Sequence, residues 1–140
     1  MTELQFTLHD DPPAADARAV DHGLGVFNEE NSPIDSVRRL ACFARLPDGR
    51  VVGGAVGRTW GDCCELQQLW VDSGHRRKGI GTLLVREFER GGAGRGCRTF
   101  YLDTFSFQAL AFYRGLGYEE RLAIPGFPSG ITKYVMLKRP

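Results

Sequence analysis

The chain of 140 residues lacks any apolar run approaching the ~20 residues that a membrane-spanning helix needs, so no span is expected and no membrane partner with it. Its first ten residues, MTELQFTLHD, have neither a basic start nor an apolar core, so no secretory signal is expected. The four cysteines, Cys42, Cys63, Cys64 and Cys97, show no CxxC spacing, and Cys63 and Cys64 are neighbours, a poor start for a disulfide framework. Buried free thiols in a reducing cytoplasm are the expectation, and a cytoplasmic location follows from it. His9, His22 and His75 are scattered without a ligand cluster, so no metal is expected. A formal net charge of only +1, with no basic stripe and no cluster of stacking aromatics, argues against a nucleic-acid partner. No linker, internal repeat or low-complexity stretch interrupts the chain, whose length suits one domain over residues 1–140.

What is present is unevenly distributed. Residues 1–40 hold eight acids (Glu3, Asp10, Asp11, Asp16, Asp21, Glu29, Glu30, Asp35) against three bases (Arg18, Arg38, Arg39). Residues 76–98 hold seven bases (Arg76, Arg77, Lys78, Arg86, Arg90, Arg95, Arg98) against two acids (Glu87, Glu89). One end is suited to meet a cation and the other an anion.

The hydrophobic period gives an order of elements. LQFTLHD alternates and predicts a first strand, closed by Asp10-Asp11-Pro12-Pro13. AADARAVDHGLGVFNEEN is helix-compatible, loosened by Gly23 and Gly25. VRRLACFARL and RVVGGAVGRTW flank Pro47-Asp48-Gly49 as a hairpin, and CCELQQLWV follows the Gly61-Asp62 turn as a third strand of that meander. From Gly79 the period becomes helical through Ile80, Leu83, Leu84 and Phe88, ending near Gly91-Gly92. CRTFYLDTF predicts a strand, FQALAFYRGLGY a short helix, and EERLAIPGF with ITKYVMLKR the last two strands. The order β, α, β-β-β, α, β, α, β-β describes a mixed α/β domain with a crossover around residues 79–103.

The stretch HRRKGIGT, set between the strand LWV and the second helix, carries the chemistry. The first N–H groups of a helix have no internal partner and the helix dipole adds roughly half a positive charge there, so an anion is favoured. Gly79 and Gly81 let a bulky anion reach the backbone because no Cβ intervenes. The order GxxxxGK[ST] of a P-loop is absent, and Gly79-Ile80-Gly81-Thr82-Leu83-Leu84 fails the GxGxxG dinucleotide pattern at its third glycine. What survives is Arg76-x-x-Gly79-x-Gly81 after a strand. This resembles the signature [Q/R]-x-x-G-x-[G/A] of the GCN5-related N-acetyltransferases. SFQALAFYRGLGYEE is similar to their later helix, N-x-x-A-x-x-F-Y-x-x-x-G-[FY], at Ala109, Phe112, Tyr113, Gly117 and Tyr118.

The resemblance extends over nearly the whole chain, with its specific motifs in residues 65–118. It implies a single mixed, mostly antiparallel twisted sheet of about six or seven strands, splayed between the fourth and fifth and flanked by about three or four helices, an α+β arrangement. It implies acetyl-CoA as the acyl donor, its pyrophosphate held by Arg76, Arg77, Lys78, Gly79, Ile80, Gly81 and Thr82. The pantetheine arm would lie along Leu69, Trp70 and Val71, with the Val71 N–H facing the thioester carbonyl. Ser106 stands where the family usually has Asn, and either Ser106 or neighbouring Gln108 would replace that contact. By the same resemblance Tyr113 would donate a proton or hydrogen bond to the departing sulfur. Glu65, in CELQQLWV, is the candidate general base or else a solvated edge carboxylate; Gln67 alternates onto its face and would orient a water or the amine.

The implied reaction is direct transfer of acetyl to a primary amine of a small metabolite or drug within a ternary complex. A protein or peptide amine is the alternative acceptor, and a non-catalytic acetyl-CoA-binding regulatory module the alternative function. Glu29, Glu30 and Asp35 would attract a cationic acceptor, and Phe27 and Phe127 would wall its pocket. A homodimer is possible in such a family, though no segment specifies its interface.

Overall fold

The computed structural model describes residues 3–140, and the chain resolves into two compact units, Met1–Asp35 and Ser36–Pro140. The first unit contains one continuous helix, α1 (Ala14–Asn31), entered from Pro13. The glycines at 23 and 25 do not break it. The strand expected over LQFTLHD does not form: residues 3–9 have no regular structure, and Leu4, Phe6 and Leu8 are exposed. Alternation states only which side chains share a face. A strand also needs a ladder partner, and these residues have none.

The second unit begins with the meander that its two turns dictate: β1 (Arg38–Arg45), β2 (Val51–Trp60) and β3 (Cys63–Val71), each antiparallel to the next. Then follow α2 (Ile80–Gly94), β4 (Thr99–Phe105), α3 (Leu110–Gly115), β5 (Glu119–Ile124) and β6 (Lys133–Lys138). The six strands form one sheet in the order β1-β2-β3-β4-β6-β5, antiparallel everywhere except between β3 and β4. The sheet is mixed and flanked by helices as expected. With no strand ahead of β1, the splay falls between the third and fourth strands.

That splay is a matter of register. β3 and β4 pair only over Cys63–Thr99, Cys64–Phe100 and Glu65–Tyr101, and then part. Just beyond, a bulge leaves Gln67 without a partner on β2, since Gln68 opposes Val56 while Leu66 opposes Gly57. The bulge overturns the simple alternation. Gln68, not Gln67, now shares a face with Glu65, because their partners Val56 and Arg58 share one. It also presses the two strands together: a Cβ on Gly57 would sit 1.8 Å from the Glu65 carbonyl oxygen, so only hydrogen fits.

Leu84, Val85 and Phe88 of α2 are buried against one face of the sheet, meeting Ala55, Cys64, Leu66, Phe100, Leu102 and Met136. Among the described residues all four thiols are free, but Cys63 is exposed, contrary to the expectation that they are buried. Burial pushes the Cys64 thiol up to about 12, and the Cys97 thiol also above its ordinary value. A thiolate is the reacting species, so iodoacetamide at pH 8 should label Cys63 well before Cys64 and Cys97. Peptide mapping of a time course checks this, and equal rates would mean the core opens readily. Among the described residues no helix is long and apolar enough to cross a membrane.

Candidate active site

Two cavities open where β3 and β4 part. The larger, about 700 Å³, runs from the end of β3 across the start of α2 to the start of α3. The smaller, about 230 Å³, lies in the mouth of the split itself. Leu69 and Gln108 belong to the walls of both, so the cavities meet at those two residues.

The strand wall is polar although its side chains are not. The Asp72 N–H donates to the Val52 carbonyl at 2.8 Å, which makes Gly53 and Val71 a non-hydrogen-bonded pair of the β2–β3 ladder. The main-chain N–H and C=O of Val71, and by the two-residue period those of Leu69, therefore point away from β2 toward the side that β4 has left. Arg76 Nε donates to the Val71 carbonyl at 2.9 Å, fixing the guanidinium at the strand end. Asp72 caps the turn through Gly74 N–H at 3.2 Å and meets His75 Nδ1 at 3.2 Å, and this bond from His75 lowers the Asp72 carboxyl below its ordinary value.

The helix wall presents main-chain donors. Gly79 has a left-handed backbone (φ 78°), which glycine adopts without strain, and so turns the chain into α2. The first main-chain bond of α2 runs from Leu83 N–H to the Gly79 carbonyl. The N–H groups of Ile80, Gly81 and Thr82 have no acceptor within the helix. A Cβ on Gly81 would lie 3.4 Å from Phe112 Cζ and 4.0 Å from Val71 Cγ2, both cavity residues, so the missing side chain is part of the space.

Leu69, Trp70, Val71, Arg76, Arg77, Gly79, Ile80, Gly81, Thr82 and Gln108 thus share one cavity wall. Lys78 and Ser106 stand outside it. Ser106 instead clasps Thr132, accepting its N–H at 3.0 Å and donating its own N–H to the Thr132 carbonyl at 2.8 Å. Gln108 Oε1 accepts the Phe105 N–H at 2.8 Å, which holds that side chain at the junction of the cavities. Sequence reasoning missed Phe107 and Ala109 as wall residues, and Phe112 lines the same cavity while packing against the core.

Tyr113 of α3 is buried and lines the smaller cavity. Loss of hydration pushes its phenol up to about 12. Glu65 is placed differently. Its Oε1 receives Arg58 Nε at 3.0 Å, directly across the β2–β3 ladder, and it lines neither cavity. Gln67 and Gln68 both line the smaller cavity, and so does Asp103 of β4, which sequence reasoning missed. The available signal was a lone carboxylate in the otherwise uncharged strand TFYLDTF. Phe127 packs edge-on against Phe105 with ring centroids 5.4 Å apart, outside both cavities. Within the first unit, Glu29 and Asp35 line a shallow recess with Ser32 and Ile34.

The model of the acetyltransferase (GNAT) family matches residues 8–118. Blasticidin-S acetyltransferase of Streptomyces morookaense is 34% identical over 110 residues, 78% of this chain and 79% of that protein. A crystal structure of an Agrobacterium tumefaciens protein described as a candidate acetyltransferase superposes with a TM-score of 0.82. It is 28% identical, covering 98% of this chain and 100% of that one. A Bacillus anthracis str. Ames protein described as a candidate streptothricin acetyltransferase, solved with acetyl coenzyme A, has a TM-score of 0.64 at 18% identity. That match covers 79% of this chain and 65% of that one, and it speaks for the fold.

Proposed function

Because the chain belongs to the acetyltransferase (GNAT) family, we propose that it moves the acetyl group of acetyl-CoA directly onto a primary amine of a small molecule, with both substrates bound together. It is an acyltransferase, and acetyl-CoA is its donor. The observation that carries the finer reading is the meeting of two cavities at Leu69 and Gln108: one for the long donor, one for a small acceptor. The volume of about 230 Å³ suits a small amine better than a folded protein surface. The likeness to blasticidin-S acetyltransferase supports the same class of acceptor.

The residues fit this donor. The free N–H groups at the start of α2, with Arg76 and Arg77 beside them, would hold the pyrophosphate. The outward carbonyl of Leu69 and the outward N–H of Val71, whose own carbonyl is taken by Arg76 Nε, would serve the amide-bearing arm as a strand would. Acetyl-CoA supplies an activated acyl carbonyl at the junction. There the outward main-chain N–H of Leu69, the strand residue at the junction, would donate to the carbonyl oxygen as negative charge develops on it, rather than that of Val71, which lines the larger cavity alone.

The acceptor must arrive neutral. A primary amine with pKa near ~10.4 is neutral in about 1 molecule in 2,500 at pH 7, an entry cost of ~4.6 kcal/mol. Glu65 is committed to Arg58 and lies outside both cavities, so it can take that proton only through water. Gln67 and Gln68, at the bulge, would order such water and the amine. Tyr113, protonated at all physiological pH, would donate a hydrogen bond to the departing sulfur.

The test is thermal unfolding with acetyl-CoA, CoA and NADH added separately, followed by thiol release against a panel of amines. A ligand at about a hundred times its dissociation constant adds ~2.7 kcal/mol to the folded state. Stabilisation by acetyl-CoA and CoA, none by NADH, and thiol release with small amines are the expected results. Stabilisation without release for any amine or peptide would favour a regulatory acetyl-CoA-binding module.

A further inference from the structure

Among the described residues Asp103 is the one carboxylate in the walls of the smaller cavity, set among Gln67, Gln68, Gln108 and Tyr113. It sits on the exposed phase of β4, between buried Leu102 and Thr104, with its side chain 48% accessible. An ammonium already stands near it: Lys133 Nζ is 3.6 Å from Asp103 Oδ2. That is well beyond the ~2.7–2.9 Å of a good charged hydrogen bond. Lys133 also lies over the Phe105 ring at 5.9 Å. The carboxylate therefore has a loose partner of the very kind that an amine acceptor brings.

Resting on the reading of this cavity as the acceptor site, we propose that Asp103 anchors a second basic group of the acceptor, one that is not acetylated. An ammonium paired with a carboxylate is held in its charged form, and a charged ammonium has no lone pair with which to attack. The group that Asp103 holds and the group that reacts are thus different groups. The acceptor belongs to the class of small molecules with at least two basic centres: one on Asp103, the other beside Gln108 and Tyr113 where the cavities join. Lys133 holds the anchor's place until that acceptor displaces it.

The experiment compares kcat/KM for matched probes, 1,3-diaminopropane and 1,4-diaminobutane against n-propylamine and n-butylamine, in the wild type, Asp103→Asn and Lys133→Met. A charge-assisted pair in a half-exposed site favours its ligand by roughly 10- to 100-fold. The wild type should prefer the diamines by about 30-fold, and Asp103→Asn should bring the diamine-to-monoamine ratio close to one. Lys133→Met should lower KM for the diamines, since the competing ammonium is gone. The same thermal midpoint for Asp103→Asn and the wild type, with acetyl-CoA bound, shows that its fold and donor site persist. A ratio unchanged in Asp103→Asn overturns the anchor while leaving the acetyltransferase reading intact. Absence of acetylation for every probe in every variant overturns both.

Discussion

Tyr113→Phe is expected to slow turnover about 100-fold, at the lower end for loss of a positioned acid, while the affinity for acetyl-CoA stays within about threefold. The size follows from what the phenol can do. Burial pushes it up to about 12, whereas a leaving thiol has a pKa near ~8.5. Full proton transfer would be uphill by ~3.5 units, or ~4.8 kcal/mol. The contribution is thus a hydrogen bond to developing charge, and about 100-fold corresponds to ~2.7 kcal/mol of it. Steady-state kinetics with calorimetric binding of CoA separates the two quantities. Parallel loss of both would assign Tyr113 to packing alone.

The same residue sets a pH signature. Its folded pKa is raised, so its contribution to stability is complete below the unfolded value near ~10 and is lost as pH rises toward about 12. Tyr113→Phe lacks that loss. Its midpoint should gain on the wild type between pH 10 and 12, and a constant difference across that window would contradict the burial of the phenol.

Gly81→Val is expected to weaken CoA binding by between about 10- and 100-fold without unfolding the protein. The new side chain enters a cavity wall whose nearest atom, Phe112 Cζ, is 3.4 Å from the added Cβ, an ordinary contact that the fold accepts. The position is inside α2, where valine is no worse a helix former than glycine. What is lost is approach: the pyrophosphate can no longer reach the N–H groups at the helix start, and charge-assisted bonds of ~1.5–3 kcal/mol go with it. Lys78→Ala, outside the wall, should cost only a few-fold and progressively less as salt is added. An unchanged dissociation constant for Gly81→Val would remove the anion from this helix start.

The wall of the larger cavity was legible in the residues because it is local. Arg76, Gly79 and Gly81 lie in one turn, and a strand followed by glycines and a helix makes an anion site wherever it occurs. The wall of the smaller cavity was not, because it is assembled by register. Glu65 and Gln67 share a face only if β3 alternates without interruption. The bulge beside the split breaks that alternation and brings both Gln67 and Gln68 to the smaller cavity, while the hairpin register sets Glu65 opposite Arg58. Asp103 is 38 residues from Glu65 in sequence, and only the parting of β3 from β4 makes it a wall of the same space.

By itself, then, the sequence determined the meander, the helical period of α2, the glycine turn that enters it and the tyrosine of α3, all written in neighbouring residues. The tertiary structure alone decided that LQFTLHD is not a strand, that Gln108 and not Ser106 lines the larger cavity, and which carboxylate lines the smaller one. Those outcomes depend on which backbone groups find partners across the sheet. Such pairing is settled between strands distant in the chain, and no local period records it.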